Sequence, residues 1–211
     1  MRAMANETMA DDLPLQSRTS GAWAAAALRD PLALLNDHAH LEKKAAANAL
    51  DMLSRWPGDP APTSWVTALT AIARDEIEHL AIVCRLLNRR GGRLTRTHHN
   101  AYASGLRERV RRGRGPQEVL DRLLVSALIE ARSCERFAVL ARHAQGVDAE
   151  LAKLYQGLFA SEAGHYRTFI DMARQVPGVR DVDERWAQML RDEAQVLAAQ
   201  TPGPRMHSGE G

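Results

Sequence analysis

Two Glu-x-x-His pairs, Glu76/His79 and Glu162/His165, are the residues of this chain best suited to chemistry. A glutamate and a histidine three positions apart share one face of a helix, so both reach the same point beside it. With 13 Glu and 8 His among 211 residues, chance alone gives about 0.5 such pairs. A single pair would carry no weight, but two pairs on two separate helical segments do. Hard carboxylate oxygens combined with imidazole nitrogens suit iron or manganese in higher oxidation states.

The segments that must position these pairs are four long amphipathic stretches at about 31–55, 63–90, 116–143 and 148–175. A shorter one follows at about 183–199. Asp30 is placed to cap the first, with Pro31 at its first helical position. Pro57-Gly58-Asp59-Pro60, Gly91-Gly92, Gly146 and Pro177-Gly178 stop the four in turn. The first, third and fourth connections are short, which makes neighbouring helices antiparallel. The second, about 91–115, is long and contains a short helix near 101–110. Alanine and leucine dominate, with only 11 Val, 5 Ile and 10 aromatic residues, so a β-rich fold is excluded.

Each long segment carries an apolar seam with one acid near its middle. On the first segment it runs Leu35, His38, Glu42, Ala45, Ala49. On the second it includes Leu69, Ile72, Glu76, His79, Val83. The third reads Leu123, Ala127, Glu130, Cys134, Phe137, and the fourth Tyr155, Leu158, Glu162, His165, Phe169. Four glutamates and two histidines therefore face inward at one level. Burying several carboxylates together is costly through desolvation and like-charge repulsion. No Arg or Lys lies on any seam, so a metal cluster is the remaining source of positive charge. The expected fold is all-α, a ferritin-like antiparallel four-helix bundle with additional short helices, holding a dinuclear site. His38, one turn before Glu42, is expected either to touch a metal ligand from outside or to be a satisfied core histidine. Glu78 and Glu135 are expected to be solvated, Tyr155 and Cys134 to be core filler, and His40, His98, His99 and His143 to lie at the surface.

The net charge is only +2 but uneven: 85–114 holds ten arginines against one acid, Glu108, a local charge of +9. Arg89, Arg90, Arg93, Arg96, Arg107, Arg109, Arg111, Arg112 and Arg114 are the candidate contacts to a polyanion, since guanidinium forks suit phosphates. His98, His99, Asn100 and Tyr102 are interleaved with them and suit unpaired bases. Cys84 and Cys134 form no Cys-x-x-Cys pair, so neither a disulfide framework nor a cysteine zinc site is expected. The apolar stretch 22–28 runs into Asp30 and Pro31 without a cleavage pattern, and no apolar run nears the roughly 18 residues of a membrane span. A cytoplasmic protein with no membrane partner is expected. The domain plan is a disordered tail over 1–20, one domain over 21–200 and a disordered tail over 201–211.

The runs LLNDHAHLEKKAAANAL (34–50), ARDEIEHL (73–80), LIEARSCERF (128–137) and SEAGHYRTF (161–169) resemble the MiaE-type tRNA hydroxylases, which act on 2-methylthio-isopentenyl-adenosine beside the anticodon. The similarity spans about 23–200. It implies a non-haem diiron monooxygenase with two iron ions, O₂ as co-substrate and electrons from an external donor. It also implies Glu42, Glu76, His79, Glu130, Glu162 and His165 as metal ligands and catalytic residues, the set the seams already gave. The reaction implied is insertion of one oxygen atom into an allylic C–H of the isopentenyl group. Leu41, Ile72, Phe137 and Phe169 are expected to receive that group, and the arginine segment to grip the anticodon stem-loop. A monomer is expected. The competing readings are a manganese catalase or rubrerythrin-type peroxidase on the same scaffold, an iron-storage subunit and a non-catalytic RNA-binding protein.

Overall fold

The computed structural model describes Ala10 and residues 12–210; among them are seven α-helices and no strand. They are α1 (Gly21–Ala27), α2 (Pro31–Met52, closed by a 3₁₀ turn over Leu53–Arg55), α3 (Thr63–Arg89), α4 (Ala101–Arg107), α5 (Pro116–Ala144), α6 (Ala149–Arg174) and α7 (Val182–Ala198). The disorder expected for 1–9, 11 and 211 lies outside the described residues. No described helix is long and apolar enough to cross a membrane.

Local chemistry sets the helix ends. The Asp30 carboxylate accepts from the Ala33 N–H at 3.0 Å with Pro31 at the first helical position. Asp148 does the same for α6 through the Leu151 N–H at 3.1 Å. At the end of α3, Gly91 takes φ 82° and the Gly92 N–H returns to the Leu87 carbonyl at 3.0 Å, a left-handed turn that glycine adopts without a Cβ clash.

Helix α2 packs along α3, and α5 along α6, as two hairpins that close into a bundle. Helices α1, α4 and α7 pack on α5, which is therefore buried on most of its faces. The apolar interior is in two parts. One gathers Met52, Leu69, Ile72, Leu123, Phe169 and Met172. The other gathers Leu34, Leu35, Val83, Leu86, Phe137 and Tyr155. The inward glutamates and histidines form the level between them.

The chain outside the bundle departs from the expected tails. Leu13, Leu15, Met206, His207 and Ser208 are buried. Their anchors lie on the face of α5 away from the seam. Arg132, fully buried, donates to both oxygens of Glu193 on α7 at 2.8 and 3.0 Å, to Glu135 at 3.0 Å and to the Ser17 carbonyl at 3.1 Å. Glu135 accepts from the Thr19 N–H and hydroxyl, each at 2.6 Å, so it is buried rather than solvated. Arg136 donates to the Met206 carbonyl and lies 4.3 Å over the ring of Trp23. The polar composition of both tails suggested disorder because these partners cannot be seen in the tails themselves. Glu78 is exposed, as expected.

Candidate metal centre

Glu42 comes from α2, Glu76 and His79 from α3, Glu130 from α5, and Glu162 and His165 from α6; all six are buried. They form two overlapping groups. Glu42, Glu76, His79 and Glu162 each bring a ligand atom within 4.8 Å of the others, and so do Glu76, Glu130, Glu162 and His165. Glu76 and Glu162 belong to both groups. Each group then has one further carboxylate and one imidazole of its own.

The atoms crowd without pairing. His79 Nδ1 lies 3.1 Å from Glu162, 3.6 Å from Glu42 and 3.9 Å from Glu76. His165 Nδ1 lies 2.7 Å from Glu76 and 3.7 Å from Glu162. Yet Glu76 Oε1, His79 Nδ1, Glu162 Oε1 and His165 Nδ1 are buried with no partner in hydrogen-bonding geometry among the described residues. The distances suffice but the directions do not, because the lone pairs converge on shared points rather than along one another's bonds. Buried polar atoms left this way are costly, and cations at the shared points satisfy them. The donor set fits a pair of hard or borderline metal ions.

The electrostatics agree. Burial, with Glu162 and Glu42 alongside, pushes the Glu76 carboxyl well above its usual range. Burial, with Glu76 and Glu162 alongside, does the same to Glu130. Glu162 is held low against the cost of burial by His165 and His79. Against that same cost, the surrounding carboxylates push His79 up to about 11 and His165 up to about 10. The carboxylates that raise both imidazoles in this way make the level favourable for positive charge, which a bound cation would supply.

His38 lies with Nε2 2.5 Å from Glu42 Oε1. Burial lowers its pKa to about 4, so the ring is neutral and its Nε2–H donates to the carboxylate. Sequence reasoning missed Asp75, whose Oδ2 is 3.5 Å from the outer nitrogen Nε2 of His165. It sits one residue off the seam, where periodicity gives no signal. Cys134 and Tyr155 are buried core residues, and Tyr166 is partly buried, tilted against Trp186 at 6.2 Å.

Two openings reach this level from opposite sides of the bundle. A cleft between α2 and α5, roofed by α4, is lined by Leu41, Ala45, Ala103, Val125 and Ile129 and ends at Glu130; Lys44, Asn48, Asn100 and Arg107 also line it. A wider groove between α3 and α6 ends at His79, with Ile82, Leu154 and Leu158 on its walls. Of the apolar residues expected to face the site opening, only Leu41 lines the cleft. Ile72, Phe137 and Phe169 are sealed into the core, where helix packing rather than an opening claims them.

The arginines divide by their partners. Arg89 and Arg90 pair with Glu150, and Arg90 also with Asp148 at 2.5 Å. Arg111 pairs with Asp121 at 2.9 Å and lies 3.6 Å from Asp181. Arg93, Arg96, Arg107, Arg109, Arg112 and Arg114 are exposed. Three groups expected at the surface or open to a base are not there: His40, His98 and Tyr102. His98 donates to Asp37 at 2.8 Å, accepts from Lys44 at 2.8 Å and stacks on the buried His40 at 4.7 Å. Tyr102 is fully buried with its hydroxyl 2.9 Å from Glu193, out of reach of any base. His99 is exposed, as expected.

A family profile described as tRNA-(MS[2]IO[6]A)-hydroxylase (MiaE) matches residues 7–208. A tRNA 2-(methylsulfanyl)-N(6)-isopentenyladenosine(37) hydroxylase of Pseudomonas putida is 39% identical over 193 residues, 90% of each chain. Its namesake from Salmonella typhimurium is 29% identical over 173 residues, 82% of this chain and 61% of that one. Among solved structures, a Synechococcus protein described as having aldehyde deformylating oxygenase activity superposes with TM-score 0.83 at 37% identity, covering 93% of this chain and 96% of its own.

Proposed function

The chain belongs to the MiaE family of tRNA hydroxylases, and we propose that it oxygenates the isopentenyl group of 2-methylthio-isopentenyl-adenosine at two iron ions held by Glu42, Glu76, His79, Glu130, Glu162 and His165. The observation that carries the ligand set is the pair of overlapping four-residue groups sharing Glu76 and Glu162. Glu76 and Glu162, common to both groups, would serve both ions, Glu42 and His79 would hold one of them, and Glu130 and His165 the other. Two irons bound there would supply the redox chemistry of O₂, in which two electrons from an external donor and two protons leave one oxygen atom in the substrate and the other in water.

The protein's own residues provide the rest. His38 fixes Glu42 through its Nε2–H, and such outer hydrogen bonds orient a ligand and tune its basicity. The cleft of Leu41, Ala45, Ala103, Val125 and Ile129 receives the prenyl tail, keeps water away from it and brings it to Glu130. Lys44 and Arg107 beside it, with the exposed arginines 109, 112 and 114, hold the backbone of the anticodon stem-loop. Catalase and peroxidase chemistry would use the same ligands, but neither needs a basic cleft mouth.

The test is nucleoside mass spectrometry of prenylated tRNA after incubation with iron-loaded protein, O₂ and a reductant. One added oxygen atom is expected, with none in Glu76→Ala. Ala45→Trp, which fills the cleft, abolishes turnover while two irons per chain remain; unchanged turnover would move the entry to the groove at His79.

A further inference from the structure

Of the four residues interleaved with the arginines and suited to unpaired bases, the fold engages three internally: His98 with Asp37 and Lys44, Tyr102 with Glu193, and Asn100, whose Oδ1 caps α4 by accepting from the Ala103 N–H at 3.0 Å. His99 is left, and it lines a separate pocket of about 330 Å³ together with Asn100. Its other walls are Gln200, Thr201, Arg205 and His207 from the segment after α7, and Asp37 from α2. Asn100 lines this pocket and also the cleft that ends at Glu130. The two cavities therefore adjoin at Asn100, an arrangement suited to neighbouring bases splayed from one strand.

We propose that this pocket is a second nucleobase subsite, taking the unpaired base next to the target nucleotide in the same anticodon loop. The proposal rests on entry of the target through the cleft. The polarity of the walls decides the class of ligand. They are too polar for a second prenyl group, and they set the Asp37 carboxylate beside the Arg205 guanidinium rather than massing positive charge for a phosphate. A base is neutral and carries edge donors and acceptors. Gln200 uses its Nε2–H on the Val196 carbonyl at 2.7 Å, which leaves its Oε1 to accept. Arg205 uses Nη2 on Thr201 at 3.0 Å, which leaves Nη1 to donate. His99 is exposed and makes no hydrogen bond or ring stack among the described residues, so its ring is open to stack on a base. Asp37 offers no free oxygen to compete, since one accepts from His98 and the other from the Met206 N–H, each at 2.8 Å.

The experiment is a cycle between substrate and protein. Prenylated anticodon stem-loops are made intact, or abasic at the nucleotide just before or just after the target, and kcat/KM is measured for wild type and for His99→Ala/Gln200→Ala. In wild type, one of the two abasic changes lowers kcat/KM about tenfold, as expected for the loss of one stacked base. The double variant loses a similar factor on the intact loop, and the same abasic change then costs it less than about twofold more. His99→Phe, which keeps a stacking face, recovers most of the loss. The proposal is overturned if the two losses multiply to about a hundredfold, or if neither abasic change affects wild type. The Ala45→Trp variant reads the cleft assignment separately, and the pocket is judged on the coupling alone.

Discussion

His38 and Glu42 stand one turn apart on α2, both buried, with Nε2 of the first 2.5 Å from Oε1 of the second. The imidazole is pressed between Phe137 and Tyr155, at ring distances of 5.0 and 5.5 Å, and so cannot swing away. It therefore fixes which Glu42 oxygen remains for the centre.

His38→Ala should keep the helices, since the void is bounded by aromatic core, but should weaken iron binding by about 10–100-fold. Iron titration followed by absorbance checks this. Glu42→Ala should lose more. Equal affinity in His38→Ala and wild type would reduce His38 to a packing residue.

The centre is unfavourable when it holds no metal, because burial holds Glu130 well above the usual carboxylate range beside Glu76 and Glu162. Glu130→Leu should stabilise metal-free protein by about 1–4 kcal/mol, as seen when buried ionic groups give way to apolar ones. It should at the same time abolish the second iron. Thermal melting with chelator and metal analysis together test this; a lower metal-free Tm would contradict it.

Arg132 is the opposite case, a buried charge with every close partner in place. Removing Glu193 leaves Arg132 under-compensated, so Glu193→Ala should cost about 3–5 kcal/mol in urea denaturation. The same variant frees the Tyr102 hydroxyl and so should loosen α4. Proteolysis within the 91–100 segment is the local readout.

Exposed and paired arginines should behave differently. Replacing Arg107, Arg109, Arg112 and Arg114 with Ser should weaken tRNA binding and flatten its salt dependence, by about 0.7–0.9 in slope for each phosphate no longer neutralised, with stability nearly unchanged. Arg111→Ser should instead lower stability, because Asp121 loses one of the two guanidiniums that hold it low. Salt-titrated binding and melting, measured on both proteins, separate the two groups.

Burial, with Arg136 and Arg132 nearby, drives the pKa of His207 well below its ordinary 6.5. A depressed pKa means the folded state resists a proton that the unfolded chain accepts. The resulting stability is complete above about pH 6.5 and declines as pH falls below it. Cleavage at Arg205 by trypsin-like proteases should accelerate between pH 7 and 5.5, about tenfold or more. His207→Gln should remove that pH dependence.

The seams were legible because each bundle helix has one apolar stripe, and a charged residue on a stripe is conspicuous. That reasoning brought Glu42, Glu76, Glu130 and Glu162 to one level, along with two histidines. It failed where a helix is enclosed on several sides. Helix α5 buries Arg132, Glu135 and Arg136 on a face that its periodicity assigns to solvent. Their partners lie in 17–20, in α7 and in 206–208, segments too short or too polar to announce burial. His98 was misplaced for the same reason, since Asp37 and Lys44 on α2 claim it from 61 and 54 residues away. The missed Asp75 shows that outer partners of a site need no periodicity.

The two-part core carries a consequence for motion. Each apolar cluster draws side chains from all four bundle helices, and on the inward faces the polar level lies between them, although Ala138 and Phe159 carry the first cluster past that level beside Phe137 and Leu158 of the second. Without a cation that level is the weakest cross-section of long, otherwise stable helices. Amide hydrogen exchange should therefore be fastest in mid-helix, around 42, 76–79, 130 and 162–165, rather than at the frayed ends as in an ordinary bundle. Metal should reverse the order, so that protection at the waist counts the ions bound.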